Sequence, residues 1–391
     1  MVDLGTMALT GKFPAPGETV PSGPLELVRC KGCGLVQLAH EYDPDLLYGP
    51  GYGYRSGLNA SMVRHLQAIV ARATDVARLA PGHAVVDIGS NDGTLLNQYR
   101  VKNLIRVGVD PLAGELREHY PASACIFNGM FDEPAANEIR KIGPARIVTS
   151  IAMFYDLPDP VAFARRVMSI LEDDGIWVTE QAYLPAMCEN NAYDSICHEH
   201  LEYYTLTDMQ RIANEAGAQI IDCEVNEVNG GSFIVTFGHR DSEWIPAAEK
   251  IEQLREAERP FKRQEFYTTA LDLRAKEHGR GLHALLTKLR KDGKTVLGYG
   301  ASTKGNVVLQ NADITPDLLP AIAEVNADKF GRVTPGTGIP IISEAAARAI
   351  KPDYFLVLPW HFRDSIIERE HEFLGNGGRL IFPLPQIVVC W

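Results

Sequence analysis

The sequence predicts an α/β protein, and three observations carry that prediction. Short apolar runs alternate with helix-favouring segments from about residue 62 to 240, a second strand-and-helix series occupies residues 295–382, and glycine-rich turns follow the opening strand of each series. Alternation of this kind marks mostly parallel sheets flanked by helices. At 391 residues, 46% of them hydrophobic, the chain can bury a sizeable core and divide into two or three domains.

Residues 1–60 are rich in Gly, Pro and Tyr, with strand-like pieces at 25–29 and 35–38, and read as a small appended module. The central series, 61–242, has apolar runs at 84–88, 106–109, 146–150, 176–181 and 232–237. A polar helical stretch follows to about residue 292, with apolar positions at helical spacing around Phe266, Ala270, Leu273 and Leu282. It opens the last division, 243–391, before the strand at 295–299; the final strand is expected at 379–382. No short-period repeat or low-complexity tract interrupts this order.

Thirty-eight basic side chains stand against fifty acidic ones, a net charge of -12. That balance is poor for wrapping nucleic acid, and no basic run offsets it locally. It leaves room for one phosphorylated small molecule in a local pocket. No apolar stretch approaches the ~20 residues of a membrane span, and the N-terminus lacks a charged segment followed by an apolar core. The expectation is a soluble cytoplasmic protein with no membrane partner. Seven mostly scattered cysteines suit reduced thiols better than a disulfide framework. Oligomeric state is not written in the sequence.

The clearest cofactor signal is AVVDIGSNDGTLL, residues 84–96. It places Asp87 at the end of a buried strand, then Gly89, Asn91 and Gly93 in a tight turn, then a helix expected to start near Thr94. Strand ends followed by glycine turns are where open α/β sheets bind ligands. After the next strand, Asp110 stands where a carboxylate can accept bonds from both ribose hydroxyls. Dinucleotide enzymes use the same two elements, but the loop here is D-x-G-x-N-D-G rather than G-x-G-x-x-G. That form suits S-adenosylmethionine, which has no pyrophosphate to cradle and carries an ammonium that favours a nearby carboxylate. Ser150 and Ile151, ending the fourth strand, are then candidates to lie against the cofactor, and Asn128 in the FNGMF run to meet its adenine. Tyr155 and Asp156 are candidates to face the substrate, while Pro158 and Pro160 also set the first turn of a helix.

The run CHEHLEYY, residues 197–204, gathers two histidines, two carboxylates and two phenols. A metal site is the first chemistry to test there. Histidines at i and i+2 point to different faces of a helix or strand, which argues against His198, Glu199 and His200 as a ligand set. One histidine can act as proton acceptor, held in its tautomer by Glu199 or Glu202; a helix start with satisfied histidines is the ordinary alternative. The later run GYGASTKGN, residues 298–306, follows a strand. It fits a second dinucleotide loop, a diphosphate site built from loop amides and Lys304, or a structural turn. Trp360 and His361 in LPWHF are candidates for sugar or base contact, with buried packing equally open to the tryptophan.

Together, CHEHLEYYTL, the methyl-donor loop, NGGS at residues 229–232 and GYGASTKGN resemble the sugar C-methyltransferases that methylate C3 of nucleotide-linked 4-keto-deoxysugars. The resemblance covers nearly the whole chain in the correct order. It implies a small N-terminal zinc module, a Rossmann-like S-adenosylmethionine-binding domain and a C-terminal α/β Rossmann-like domain that helps hold the nucleotide-sugar substrate. It further implies that His200 removes the acidic C3 hydrogen, that Glu199 orients it, that His198 supports the site, and that Tyr52 or Tyr54 reaches in from the module. Tyr155, Cys197, Asn229, Ser232, Gly300, Ser302, Lys304, Trp360 and His361 are then substrate-side positions. Two departures stand out: Cys197 replaces a tyrosine of many relatives, and Tyr155 and Asp156 occupy a loop where relatives place a histidine. For zinc, Cys30 and Cys33 form one Cys-x-x-Cys pair, His40 is a nearby supplement, and the second pair of relatives, ahead of VDLGTMAL, is not in this sequence. O- or N-methylation, with His200 deprotonating a hydroxyl or amine, is the enzymatic alternative. A nucleotide-sensing scaffold is the non-enzymatic one, against which intact Asp87, Gly89, Asp110 and His200 count.

Overall fold

In the computed structural model of the chain, which describes residues 2–48, 54–262 and 266–391, the first elements are antiparallel strands β1 (Val2–Ala8), β2 (Ser22–Arg29) and β3 (Val36–Leu38) and the short helix α1 (Pro44–Leu47). Helix α2 (Ala60–Val76) follows, its first turn capped by the Asn59 side chain, which accepts from the amides of Ser61 and Met62. Met62, Leu66, Ile69, Val70 and Ala73 form the face it buries.

The central domain contains β4 (Ala84–Ile88), β5 (Ile105–Asp110), β6 (Cys125–Asn128), α3 (Glu133–Ile142), β7 (Ala145–Ile151), α4 (Pro160–Met168), β8 (Leu171–Ala182), α5 (Leu184–Glu189), β9 (Glu202–Tyr203), α6 (Leu206–Ala216), β10 (Ala218–Asn226) and β11 (Ser232–His239). Its seven-stranded sheet runs β10-β11-β8-β7-β4-β5-β6, parallel from β8 to β6 and antiparallel at β10 and β11. Strand order turns back at β4, between β5 and β7, so a crevice opens at the carboxyl ends of those strands. Asp159 caps α4 with Pro160 in its first turn, and Thr205 and Asp208 form a capping box on α6. Behind the sheet, Trp177 is fully buried, stacked on Phe237 at 4.7 Å between ring centroids and met edge-on by Phe154 at 5.4 Å.

Helices α7 (Ala248–Lys262) and α8 (Phe266–Lys291) lead to the last domain: β12 (Val296–Tyr299), α9 (Thr303–Asn311), β13 (Ile322–Glu324), β14 (Ile341–Ser343), α10 (Glu344–Ala349), β15 (Tyr354–Val357), α11 (Arg363–Arg369), α12 (His371–Gly375), β16 (Arg379–Phe382) and β17 (Val388–Cys390). Its sheet runs β14-β13-β12-β15-β16-β17, parallel except for β17.

Three local expectations need correction. No α-helix starts near Thr94: the Asp92 carboxylate accepts from both Thr94 N and Oγ1, and the turn passes only into a 3-10 segment at Leu96–Gln98 before Tyr99 becomes extended. On α8 the buried positions include Leu271, Ala275, Leu282, Leu286 and Leu289, whereas Leu273 is 64% exposed. Strand β10 escapes an apolar-run reading because it is an edge strand, with Asp222 and Glu224 interrupting its buried residues. The pairing with the largest consequence is β3 with β9, which ties residues directly after CHEH into the N-terminal sheet.

Trp177→Ala removes the centre of the aromatic cluster and leaves the Ser150 hydroxyl without its indole partner. A loss of about 3–5 kcal/mol is expected, read as a lower urea midpoint for the central domain; an unchanged midpoint would contradict this packing account.

Candidate active site

At the carboxyl end of β4, Asp87 is buried and accepts from Thr149 Oγ1 at 2.6 Å. No cation pairs with it among the described residues, and burial pushes its carboxyl up to about 7, against which the Thr149 bond acts. A buried acid at a strand end without a cation fits the ammonium of S-adenosylmethionine. Beside it, Asp110 accepts from Asn91 N at 2.9 Å and Leu112 N at 2.8 Å, which fixes its carboxylate at the end of β5. Gly89 has φ +72°, and a Cβ there would lie 2.8 Å from Met153, so only glycine suits the turn. Asn91 adopts φ 49°, its side chain accepting from Ser56 N and donating to the Tyr54 carbonyl. Segment 54–57 is thereby laid over the loop.

Not every expected cofactor residue faces this crevice. The Ser150 hydroxyl is fully buried behind the sheet and accepts from Trp177 Nε1, so Ser150 is a core residue. A Cβ on Gly93 would strike the Tyr120 ring at 2.7 Å, so that glycine serves packing. Ile151 is half-buried at its strand end, and Asn128 is exposed at the end of β6, accepting from Gly114 N. Tyr54 is 44% exposed, whereas Tyr52 lies outside the described residues.

His200 is held by its ring. Its Nδ1 lies 2.8 Å from the Ser195 carbonyl oxygen. A carbonyl only accepts, so Nδ1 bears the proton and Nε2 keeps its lone pair, with no protein partner among the described residues. Burial first, then the charge of Lys304, push the ring down to about 3, which keeps it neutral. Tyr155 packs on the imidazole at 4.0 Å between centroids.

The rest of the run plays other parts. Glu199 does not orient His200: its buried carboxyl accepts from Thr10 Oγ1 at 3.2 Å, and its backbone carbonyl accepts from Tyr48 OH at 3.3 Å, both from the N-terminal module. His198 is buried, with Nε2 at 3.3 Å from the Gly23 carbonyl and its ring edge-on to Tyr42. Cys197 is fully buried, its thiol pushed well above the ordinary range by burial and then by Glu199 and Asp156. Glu199 and His198 thus seat the N-terminal module.

From the C-terminal domain, Lys304 Nζ donates to Ser195 Oγ at 2.9 Å and to the Asn229 carbonyl at 2.7 Å, so it is a strut between loops rather than a free cation. Asn229 sits in the left-handed region at φ 54°. Ser232 Oγ donates to the Val228 carbonyl and is buried, which removes it from the substrate side. Trp360 is buried, donates to Asp194 Oδ2 at 2.7 Å, and is the ring that a Cβ on Gly230 would strike. Gly300 is fixed by Pro359, 2.9 Å from its would-be Cβ. Ser302 caps α9 by accepting from Gly305 N. His361 is half-buried and pushed down to about 3 by burial and then Lys304. Glu324, ending β13, accepts from the amides of Ala301, Val325 and Asn326.

Zinc does not fit the described residues as a closed site. Cys30 is half-buried, Cys33 is exposed, and no cluster of three His, Cys, Asp or Glu side chains able to hold a metal occurs among the described residues. No described helix is long and apolar enough to cross a membrane.

Two groups escaped the sequence reading. Ser195 holds His200 Nδ1 through its main-chain carbonyl. Glu180, at the end of β8 opposite Ile151, is buried and held by His65 Nε2 and Asn226 Nδ2, each at 2.6 Å. An acidic residue at the strand end beside the cofactor crevice was the available signal for Glu180; Ser195 offered none.

Family comparisons cover nearly all of the chain. Residues 1–48 match a proposed zinc binding domain, 59–222 a methyltransferase domain, and 227–385 the C-methyltransferase C-terminal domain. The C-methyltransferase NovU of Streptomyces niveus is 33% identical over 399 residues, covering 99% of this chain and 93% of that protein. Among solved structures, an O-methyltransferase family protein from Burkholderia thailandensis is 17% identical, with a TM-score of 0.36, over 48% of this chain and 59% of its own. The CcbJ methyltransferase from Streptomyces caelestis is 13% identical, with a TM-score of 0.34, over 44% of this chain and 88% of its own.

Asp87 provides a pH test of the cofactor crevice. Its carboxyl in the free protein is protonated below about 7, whereas an ammonium pairs with the ionised form. The calorimetric dissociation constant for S-adenosylmethionine is expected to rise about tenfold per pH unit below that point and to level off above it. Asp87→Asn is expected to bind weakly without that slope; a wild-type constant flat across the range contradicts the assignment.

Proposed function

Because this chain belongs to the C-methyltransferase family and so transfers methyl groups from S-adenosylmethionine to carbon, we propose that its acceptor is C3 of a nucleotide-linked 4-keto-deoxysugar, with His200 as the base. The observation that carries this reading is the His200 ring, neutral and fixed with its proton on Nδ1, its Nε2 without a hydrogen-bond partner among the described residues. Carbon methylation needs such a group, because carbon becomes nucleophilic only after losing a proton.

A C4 ketone acidifies the hydrogen on C3. His200 Nε2 takes that proton, and the electron pair of the C–H bond delocalises onto the ketone oxygen as an enolate. When bound, the cofactor supplies an electrophilic methyl group. The enolate carbon forms the new C–C bond as the methyl–sulfur bond breaks, the ketone is restored, and the proton on His200 passes to solvent. The low proton affinity of the free ring reflects burial beside Lys304. A diphosphate and a developing enolate bring negative charge into the same space, which raises that affinity as the proton leaves carbon. Tyr155 holds the imidazole plane from one side, and segment 54–57 covers the cofactor loop from the other.

The C-terminal loops support the nucleotide-sugar class. The turn after β12 leads into α9, a nine-residue helix in which Ser302 takes the Gly305 amide and the amides of Thr303 and Lys304 are left for an anion, and His361 and Trp360 stand next to the loop that holds Lys304.

The test is a panel of nucleotide-linked 4-keto-deoxysugars with S-adenosylmethionine, read by mass spectrometry for gain of one methyl and by NMR for its position. A C3-methylated product is expected, with the rate falling about 10²- to 10⁴-fold in His200→Ala. A methyl on oxygen or nitrogen, or turnover unchanged in His200→Ala, contradicts the reading.

A further inference from the structure

The lysine of GYGASTKGN looks like a phosphate ligand, yet its ammonium is already engaged inside the protein. Lys304 Nζ donates to Ser195 Oγ at 2.9 Å and to the Asn229 carbonyl at 2.7 Å. Ser195 is buried, and its own carbonyl accepts from His200 Nδ1 at 2.8 Å and from Tyr203 OH at 3.3 Å. One residue therefore takes the lysine on its side chain and the catalytic histidine on its main chain.

The neighbours of Ser195 are held from the same direction. Tyr193 OH lies 2.8 Å from His278 Nδ1 on α8, and Asp194 Oδ2 accepts from Trp360 Nε1 at 2.7 Å. Three successive residues, 193–195, are thus each fastened to the C-terminal part of the chain, directly ahead of CHEH. Asp194 is fully buried, and the charge of Lys304 opposes the rise in its pKa that burial causes. The lysine balances that carboxylate while gripping the adjacent serine.

We propose that Lys304 is a positioning residue, which through Ser195 fixes the orientation and tautomer of His200, rather than a ligand of the substrate's phosphate groups. This rests on the reading of His200 as the base. The polar and titratable groups that meet the 194–200 stretch include Thr10, Tyr42 and Tyr48 from the N-terminal module, Tyr155 and Asp156 from segment 154–156, Tyr203 from β9, Lys304 from α9, Trp360 after β15, and Asp194, Cys197, His198 and Glu199 from the stretch itself. Lys304 is the charged one among them that acts on the His200 ring, and it holds that ring towards its neutral form. A misplaced or wrongly protonated imidazole loses rate without losing substrate, which separates this role from phosphate binding.

The experiment compares full-length wild type, Lys304→Met and Ser195→Ala with cofactor and nucleotide sugar. Ser195→Ala keeps the carbonyl that holds His200 and removes only the hydroxyl that holds the lysine. In Lys304→Met, kcat is expected to fall about 100-fold while KM for the nucleotide sugar changes by less than about threefold. The acid limb of its kcat profile is expected to move to higher pH, because loss of the positive charge raises the proton affinity of the ring. Ser195→Ala is expected to shift kcat in the same direction by less. Nitrogen-15 histidine spectra of the intact proteins are expected to show His200 protonated at Nδ1 in wild type and a mixture of tautomers in both variants.

A rise in KM of about tenfold or more, with kcat and the His200 signature unchanged, overturns the proposal and makes Lys304 a phosphate ligand. If Lys304→Met does not fold, because Asp194 is left buried without its cation, Ser195→Ala decides: an unchanged tautomer and kcat overturn the proposal. If no nucleotide sugar is methylated, the substrate reading fails while the histidine spectra still decide the role of Lys304.

Discussion

A carbonyl oxygen has no proton to give, and the Ser195 carbonyl at His200 Nδ1 therefore decides where the imidazole keeps its own. Everything downstream depends on that bond. With the proton on Nδ1, Nε2 is left as a lone pair without a hydrogen-bond partner among the described residues; with the opposite tautomer, the same ring in the same place would present an N–H and could accept no proton. Burial keeps the ring neutral, and neutrality without the correct tautomer would be idle. Many enzymes orient a catalytic imidazole with a carboxylate. Here the adjacent carboxylate, Glu199, faces Thr10 in another part of the molecule, and a main-chain dipole holds the His200 ring without adding a negative charge beside it.

The bond can be short and fixed because the segments on both sides of it are anchored by different parts of the chain. Before it, residues 193–195 are held by His278, Trp360 and Lys304. After it, β9 pairs with β3, and His198 and Glu199 meet Gly23 and Thr10. The junction carries a cost. Asp156 Oδ1, Asp194 Oδ1 and Glu199 Oε1 are buried without hydrogen-bond partners among the described residues, and each such group costs about 1–3 kcal/mol. Burial raises the proton affinity of all three carboxyls, which shifts them towards the neutral acid and reduces that cost. Polar strain collected at a junction of three packed elements is consistent with a site kept for chemistry rather than stability.

The sequence was most legible where strands are buried on both faces, since these appear as continuous apolar runs; residues 84–88 and 379–382 coincide with β4 and β16. Asp87 and Asp110 were legible for a related reason, being acids at the ends of such runs. Edge strand β10 was not, because alternating polar residues hide its buried face. Among site residues, the density of CHEHLEYY drew attention to residues 197–204, but which partner each side chain takes could not be read. Glu199 contacts a residue 189 positions away, and Ser195 acts through an atom that every residue type possesses. Lys304 misled in the opposite direction: a lysine in a glycine loop reads as a phosphate ligand, and only the fold shows which acceptors already hold its ammonium. Side-chain chemistry is written in sequence, while main-chain contacts and long-range partners are written in topology.

The central claim is that His200 removes a proton from carbon, and hydrogen exchange with solvent measures this without waiting for methyl transfer. A nucleotide-linked 4-keto-deoxysugar is incubated with the enzyme in deuterium oxide, with S-adenosylmethionine replaced by its demethylated product so that the cofactor crevice is filled but no methyl can leave. The account predicts loss of the C3 proton signal at a rate set by wild-type enzyme and abolished in His200→Ala. Retention of the C3 hydrogen with wild type, under conditions in which the same enzyme methylates that sugar once S-adenosylmethionine is supplied, would contradict it.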